Sequence, residues 1–226
     1  MISPPTKQQA VYRHLRGQIM KARLRPGQRL VIDDIAREQG ISAIPVREAI
    51  KLLEAEHLVD CIPHAGARVT SVTPQNVLET FLILENLEAV AVSQLTPVYT
   101  DVLHEELSSL VRKMDDSLGK DDPESWSRLN IEFHRTMAKQ TGMPMLLEMT
   151  ERALDCWDRI RLLYFKNQMT GHLTRPQSEH HALIKALSKR DSARADVLIR
   201  RHNQSALKFC LSLIDKKANT TPPALP

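Results

Sequence analysis

Apolar residues in the first seventy positions recur at helical spacing and are interrupted by glycine. The spacing predicts a helix near residues 6–23, closed ahead of Arg25-Pro26-Gly27, and a short helix from Asp33 or Asp34 to Gly40. Gly40 suits the left-handed position that follows a helix. Ser42 then caps a third helix with Pro45 in its first turn, where a missing N–H costs nothing because that donor has no intrahelical partner. Val46, Ala49, Ile50 and Leu53 fall at i, i+3, i+4 and i+7 of this helix and must face a core. Arg47 and Lys51 share another face and point outward. Beyond Leu58, residues 59–62 and 67–70 flank Pro63-His64-Ala65-Gly66, the pattern of a small two-stranded hairpin.

From residue 74 onward the period is 3.6. Six helices are predicted near 74–96, 101–118, 123–140, 143–168, 176–189 and 191–215, separated by glycine and proline at Pro97, 119–123, 142–144 and 171–176. No stretch there alternates with period two, and no internal repeat is visible. The pattern implies a mainly α chain: an N-terminal winged helix-turn-helix with a small β-hairpin over residues 1–72, an all-α bundle of about six helices over 73–216, and a disordered tail over 217–226. That tail holds adjacent prolines and little to bury.

Composition sharpens this division. With 226 residues, 42% hydrophobic and 26% charged, the chain is long enough for two ordinary globular domains. Four of its seven glycines precede residue 71. The net charge of +4 is also local: residues 1–70 hold 11 Lys and Arg against 7 Asp and Glu, while residues 71–226 hold 20 of each. A basic first third attached to a neutral remainder fits a polyanion-facing module, although a solvated surface has the same composition. Apolar runs are only a few residues long, as at 81–84, and no secretory signal is readable, so no membrane association and a cytoplasmic location are expected. Cys61, Cys156 and Cys210 lie far apart without a Cys-x-x-Cys pair, which fits reduced thiols.

Two tightly joined helices, the second with exposed cations, followed by a hairpin, would set the second helix into the major groove of duplex DNA. Arg47 and Lys51 would meet phosphates or base edges, and His64 and Arg68 on the hairpin would reach an adjacent groove or the backbone. A plain helical pair with a solvated cationic face shares this periodicity. Single-stranded nucleic acid fits less well, because no aromatic residue lies between Tyr12 and Phe81 to stack on bases.

Residues 25–69, with Arg25-Pro26-Gly27, Gly40-Ile41-Ser42, Pro45-Val46-Arg47-Glu48-Ala49, Leu52-Leu53-Glu54 and Leu58-Val59, closely resemble the DNA-binding domain of GntR-family bacterial transcription regulators. The resemblance implies operator contacts by Ser42, Arg47 and the turn from His64 to Gly66. Two departures bear on base preference. Ala43-Ile44 stand where relatives carry Arg-Thr, and Ala65 stands where an arginine often precedes the wing glycine.

In the helical region, periodicity places Trp126, Asn130, Phe133, His134 and Met137 on one face, with Asn130 and His134 one turn apart. His180 shares a stripe with Ile184 and Leu187, whereas the adjacent His181 faces out. His202 falls in the series Ala195, Leu198, Ile199, His202 and Ala206. A single inward histidine is usually a satisfied core residue; three on three helices suit Zn, Ni or a similar divalent ion. These spacings resemble the FCD effector-binding domain of the FadR branch of GntR regulators, over roughly residues 74–215. In metal-binding members an acidic residue and three histidines hold the ion, and the effector is commonly a small organic acid. The resemblance therefore implies Asn130, His134, His180 and His202 as ligands, with Asn130 in the acidic position. The amide leaves the site one charge more positive, which favours a carboxylate effector.

Arg161 aligns with Leu154, Trp157 and Tyr164 and is the candidate carboxylate anchor, although a surface ion pair has the same pattern. Leu84 stands about where relatives carry an arginine, and Glu179 is expected to point away from the histidines. The clusters at 81–84 and 143–147 read as core or dimer contacts. The implied protein is a homodimeric, non-enzymatic regulator that binds a palindromic duplex operator under control of a small acid. The alternative is a helical metalloenzyme acting on a small carboxylate, with the N-terminal part as a docking module.

Overall fold

A computed structural model describes residues 5–62, 66–164 and 171–220, with side chains described as far as residue 214. The chain divides into two compact units, residues 1–73 and 74–226.

In the first unit, α1 (Lys7–Met20) starts at Thr6, whose hydroxyl accepts from the Gln9 amide N–H at 3.2 Å while the Gln9 side chain accepts from the Thr6 N–H at 3.1 Å. This reciprocal cap satisfies two of the helix's open donors. After β1 (Arg29–Leu30) come α2 (Ile32–Glu38), α3 (Ala43–Ala55), β2 (Val59–Ile62) and β3 (Gly66–Val69). Gly40 takes φ +62° in the turn between α2 and α3, as the spacing requires. The strands form an antiparallel sheet in the order β1-β3-β2. The expected hairpin therefore has a third strand, which at two residues is too short to show alternation. Ile19, Val46, Ala49, Leu53, Val59 and Val69 are fully buried and join α1, α3 and the sheet into one core.

The second unit contains α4 (Pro74–Leu95), a single 3-10 turn (Thr96–Val98), α5 (Asp101–Gly119), α6 (Pro123–Gln140), α7 (Pro144–Tyr164), α8 (Thr174–Ser188) and α9 (Ser192–Thr220). Thr100 and Asp122 cap α5 and α6, accepting from the Leu103 and Ser125 amides at 3.3 and 2.9 Å. α4 packs on α9, α7 and α6, while α5 packs on α6 and α8. By length and composition α4 could cross a bilayer, a feature that the short apolar runs of the sequence do not suggest. In this fold it is a core helix instead. Its buried stripe runs through Val77, Phe81, Leu84, Glu88, Val92 and Leu95. α9 continues to Thr220, past the expected end at 215 and into the segment expected to be a tail; residues 221–226 of that segment lie outside the described residues.

Candidate functional site

The first unit presents a cationic surface. Ser42 takes the N-cap position of α3 with extended backbone, φ −76° and ψ 165°. Its hydroxyl makes no capping hydrogen bond, contrary to the expectation from sequence, and the residue is exposed. Arg47 is exposed on the same helix, and Lys51 lies one turn on, paired with Glu48 at 3.0 Å. Gly66, at φ +82°, opens β3. Arg68 is exposed on β3 and donates to the Gly27 carbonyl at 3.1 Å. His64 lies outside the described residues.

Sequence reading missed Arg29, an exposed residue directly across the sheet from Arg68, because β1 has no pattern of its own. Like charges facing each other across strands repel. Asp60, on the other side of Arg68, offsets this only in part. A phosphate backbone would relieve it.

The second unit encloses a cavity of about 480 Å³ lined by α4, α6, α7, α8 and α9. Phe81, Leu84, Trp126, Leu154, Trp157 and Phe209 form its apolar wall. His134 and His202 also line the cavity, and His180, which does not, joins them in a cluster where each brings a ring nitrogen within 4.8 Å of the others. Their ring centroids lie 4.8 to 5.5 Å apart. Asn130, one turn before His134 on α6, lines the same cavity, and its Oδ1 is buried without a protein partner.

His180 is fixed by the residue three positions before it. The Gln177 side chain accepts from Trp126 Nε1 at 2.8 Å and donates to the Val111 carbonyl at 2.9 Å and to Asp115 Oδ1 at 2.7 Å, locking α8 against α5 and α6. His180 is 1% exposed beside Phe133 and Trp126, and neither of its ring nitrogens has a protein partner. Burial, reinforced by His202 and His134, pushes this imidazole well below its ordinary pKa, so it is neutral. His181 faces outward, as its spacing implies, and lies 3.0 Å from Asp115.

Two carboxylates stand behind the other histidines, and sequence reading missed both. Glu179 Oε2 lies 3.0 Å from His202 Nδ1, so Glu179 turns toward the cluster rather than away. Glu88, 2% exposed, places Oε1 2.9 Å from His134 Nδ1, in ion-pair range but off the line of a ring N–H, and its Oε2 accepts from Asn203 Nδ2 at 2.6 Å. Burial raises the pKa of both acids, but His134 and Asn203 at Glu88, and His202 and Arg175 at Glu179, outweigh it and hold both carboxyls below their ordinary range. The signal for Glu88 was its place in the apolar stripe of α4, where a charged residue is out of pattern.

Arg161 is placed elsewhere. It is buried, its guanidinium is 3.0 and 3.2 Å from the two carboxylate oxygens of Glu124 and 2.8 Å from Asp158, and it is not among the cavity's lining residues, although Leu154 and Trp157 of its face are. The arginine that lines the cavity is Arg175, whose side chain is 60% exposed and pairs with Glu179 at 3.1 Å.

These residues fit a divalent ion. Imidazoles that bind metals normally hand their second nitrogen to a carboxylate or carbonyl, as His202 does to Glu179 here, while Glu88 stands 2.9 Å from His134 Nδ1 in ion-pair range. An ion with bonds of about 2.1 Å spaces its donors by roughly 3.4 Å, so rings within 4.8 Å close onto it by small rotations. Asn130 Oδ1 and both ring nitrogens of His180 are buried without protein partners, and an ion would supply one.

Residues 7–69 match the family of bacterial regulatory proteins of the gntR type, and residues 79–205 match the FCD domain. The chain is 27% identical over 197 residues to the HTH-type transcriptional repressor GlaR of Escherichia coli, covering 84% of this chain and 90% of that one. It is 29% identical over 180 residues to the HTH-type transcriptional regulator McbR of the same organism, covering 78% and 80%. The solved structure of E. coli McbR/YncC superposes with a TM-score of 0.74 at 24% identity, covering 94% of this chain and 99% of that chain. A GntR regulator structure from Rhodococcus gives 0.73 at 20% identity, covering 92% and 99%. Two matched domains in this order, a winged helix-turn-helix and a helical sensor domain, make the chain a GntR-family transcriptional regulator of the FCD type, a DNA-binding regulator and not an enzyme.

Proposed function

We propose that the regulator binds a palindromic operator as a homodimer in the cytoplasm and that a small organic acid, held at a divalent metal ion in the helical domain, controls its operator affinity. Ser42, Arg47 and Lys51 of α3 meet the major groove, while Gly66, Arg68 and His64 bring the wing to the adjacent backbone. The observation that carries the sensor reading is the convergence of three histidine nitrogens within 4.8 Å, two of them backed by carboxylates, at the end of a cavity of ligand size.

His134, His180 and His202, with Asn130, would hold the ion, which would supply a Lewis-acidic site for the oxygen atoms of an entering acid. Arg175 sits on the same cavity with its side chain 60% exposed; it is held by Glu179 at 3.1 Å and Ser205 at 2.6 Å, and exchanging the neutral Ser205 partner for a carboxylate oxygen would let it meet the acid, whereas Arg161 is buried between the two anions Glu124 and Asp158. An acid that binds one arrangement of the two DNA-reading heads better than another shifts the population by the difference in its binding free energies. Exposed apolar side chains on α4 and α7, among them Ile83, Val90, Met145 and Met149, supply a surface for the second copy.

Two measurements test this. In a mobility shift on DNA upstream of the protein's own gene, Arg47→Ala is expected to lose binding, and parent binding is expected to fall steeply with salt; retained binding by the variant removes Arg47 from the role. In elemental analysis, His134→Ala and His202→Ala are expected to lower bound metal. Equal metal in parent and variants returns the histidines to the core.

A further inference from the structure

We propose that Glu88 supplies, through His134, the negative charge that the metal centre lacks at Asn130. The inference rests on the metal-site reading above. Glu88 occupies a core position of α4, between Leu84 and Val92 in the buried stripe, where only apolar side chains would be expected. A carboxylate survives there only if its charge is answered. Among the described residues no lysine or arginine comes within ion-pair range of it; its partners are His134 Nδ1 at 2.9 Å and Asn203 Nδ2 at 2.6 Å. Asn203 is itself pinned, donating also to the Ile199 carbonyl at 3.2 Å. With Nδ1 turned to Glu88, the other nitrogen of His134 is the one left for an ion.

The charge count then comes to what an acidic residue at position 130 would give. Three neutral imidazoles and the Asn130 amide bring no charge to the ion. At the second carboxylate, Glu179 behind His202, Arg175 at 3.1 Å already answers the charge. Glu88 is the uncompensated anion of the cluster, and a divalent cation on His134 is the uncompensated positive charge. The anion has moved from the metal's own ligand set to the position behind one of its histidines, where such carboxylates raise ligand basicity and fix the ring. An acid effector consequently meets one net positive charge rather than the two that Asn130 alone implies, and Asn130 remains a weak ligand that an entering oxygen can displace.

The test is calorimetric titration of the purified, chelator-stripped full chain with Ni²⁺ alone. Glu88→Gln keeps the shape and removes the charge, and it is expected to weaken Ni²⁺ binding by about 10- to 100-fold. Asn130→Asp is expected to recover most of that loss in the Glu88→Gln background and to tighten the parent by a smaller factor. Parent-like affinity in Glu88→Gln, or an equal factor for Asn130→Asp in both backgrounds, overturns the proposal and leaves Glu88–His134 a structural ion pair beside an intact metal site. A parent that binds no Ni²⁺ overturns the metal site itself, and this proposal with it. Should Glu88→Gln fail to fold, Asn130→Asp in the parent alone carries the test: with Glu88 already supplying the charge it is expected to tighten Ni²⁺ binding by less than about tenfold, and a gain of about 100-fold or more overturns the proposal.

Discussion

Ile44 leaves 72% of its surface in solvent on the first turn of α3, between Ser42 and Arg47. With Ala43 and Ile44 there, the first turn of α3 offers the groove an aliphatic side chain rather than hydrogen-bonding groups. The only aliphatic feature in the major groove is the thymine methyl. Burying a methyl group is worth about 0.8 kcal/mol, roughly a fourfold change in affinity. Replacing thymine by uracil at the half-site position facing this turn is therefore expected to weaken parent binding about fourfold and leave Ile44→Ala unaffected, as read by fluorescence anisotropy. Equal losses in both proteins would show that Ile44 does not touch the base. The side chain is exposed in the free protein, so the substitution should not lower its thermal stability.

Gln177 fixes the register of α8, because its three hydrogen bonds join that helix to α5 and α6 one turn before His180. Gln177→Leu keeps the volume and strands the indole N–H of Trp126 in the interior. A buried donor without a partner costs about 1–3 kcal/mol, so the unfolding free energy from denaturant titration is expected to fall by that amount, with weaker metal uptake as His180 loosens. An unchanged unfolding free energy would mean that the indole finds another acceptor.

The helices themselves were legible, since each buries one stripe at helical spacing and that spacing is written along a contiguous stretch. The inward turn of His134, His180 and His202 was legible for the same reason. Other features depend on partners far away in the chain. β1 acquires its identity only from β3, about forty residues on. Glu88 reads as misplaced until Asn203 and His134 are brought beside it. Arg161 shares a face with Leu154 and Trp157, yet Glu124 on a different helix takes its guanidinium. Periodicity says which way a side chain faces and not what waits there.

The proposed homodimer on a palindrome needs two heads held together, and exposed apolar side chains on α4 and α7 offer a surface for this. Ile83 and Val90, two turns apart on α4, and Met145 and Met149, one turn apart on α7, are all more than two-fifths exposed on helices that pack against each other. A stable dimer covers about 800 Å² on each partner and excludes charge from its centre. Placing carboxylates there through Ile83→Glu with Met145→Glu sets like charges opposite each other across a two-fold axis, because each residue of such an interface meets the same patch of the other copy. Sedimentation is expected to show a monomer, with far-UV circular dichroism unchanged, since neither side chain belongs to the core. Operator binding should then lose the advantage of tethering, a factor of roughly 10² to 10⁴, while a single half-site is bound as well as before. A variant that still sediments as a dimer would place the interface on another surface. One that becomes monomeric but keeps full operator affinity would show that the two heads never acted together.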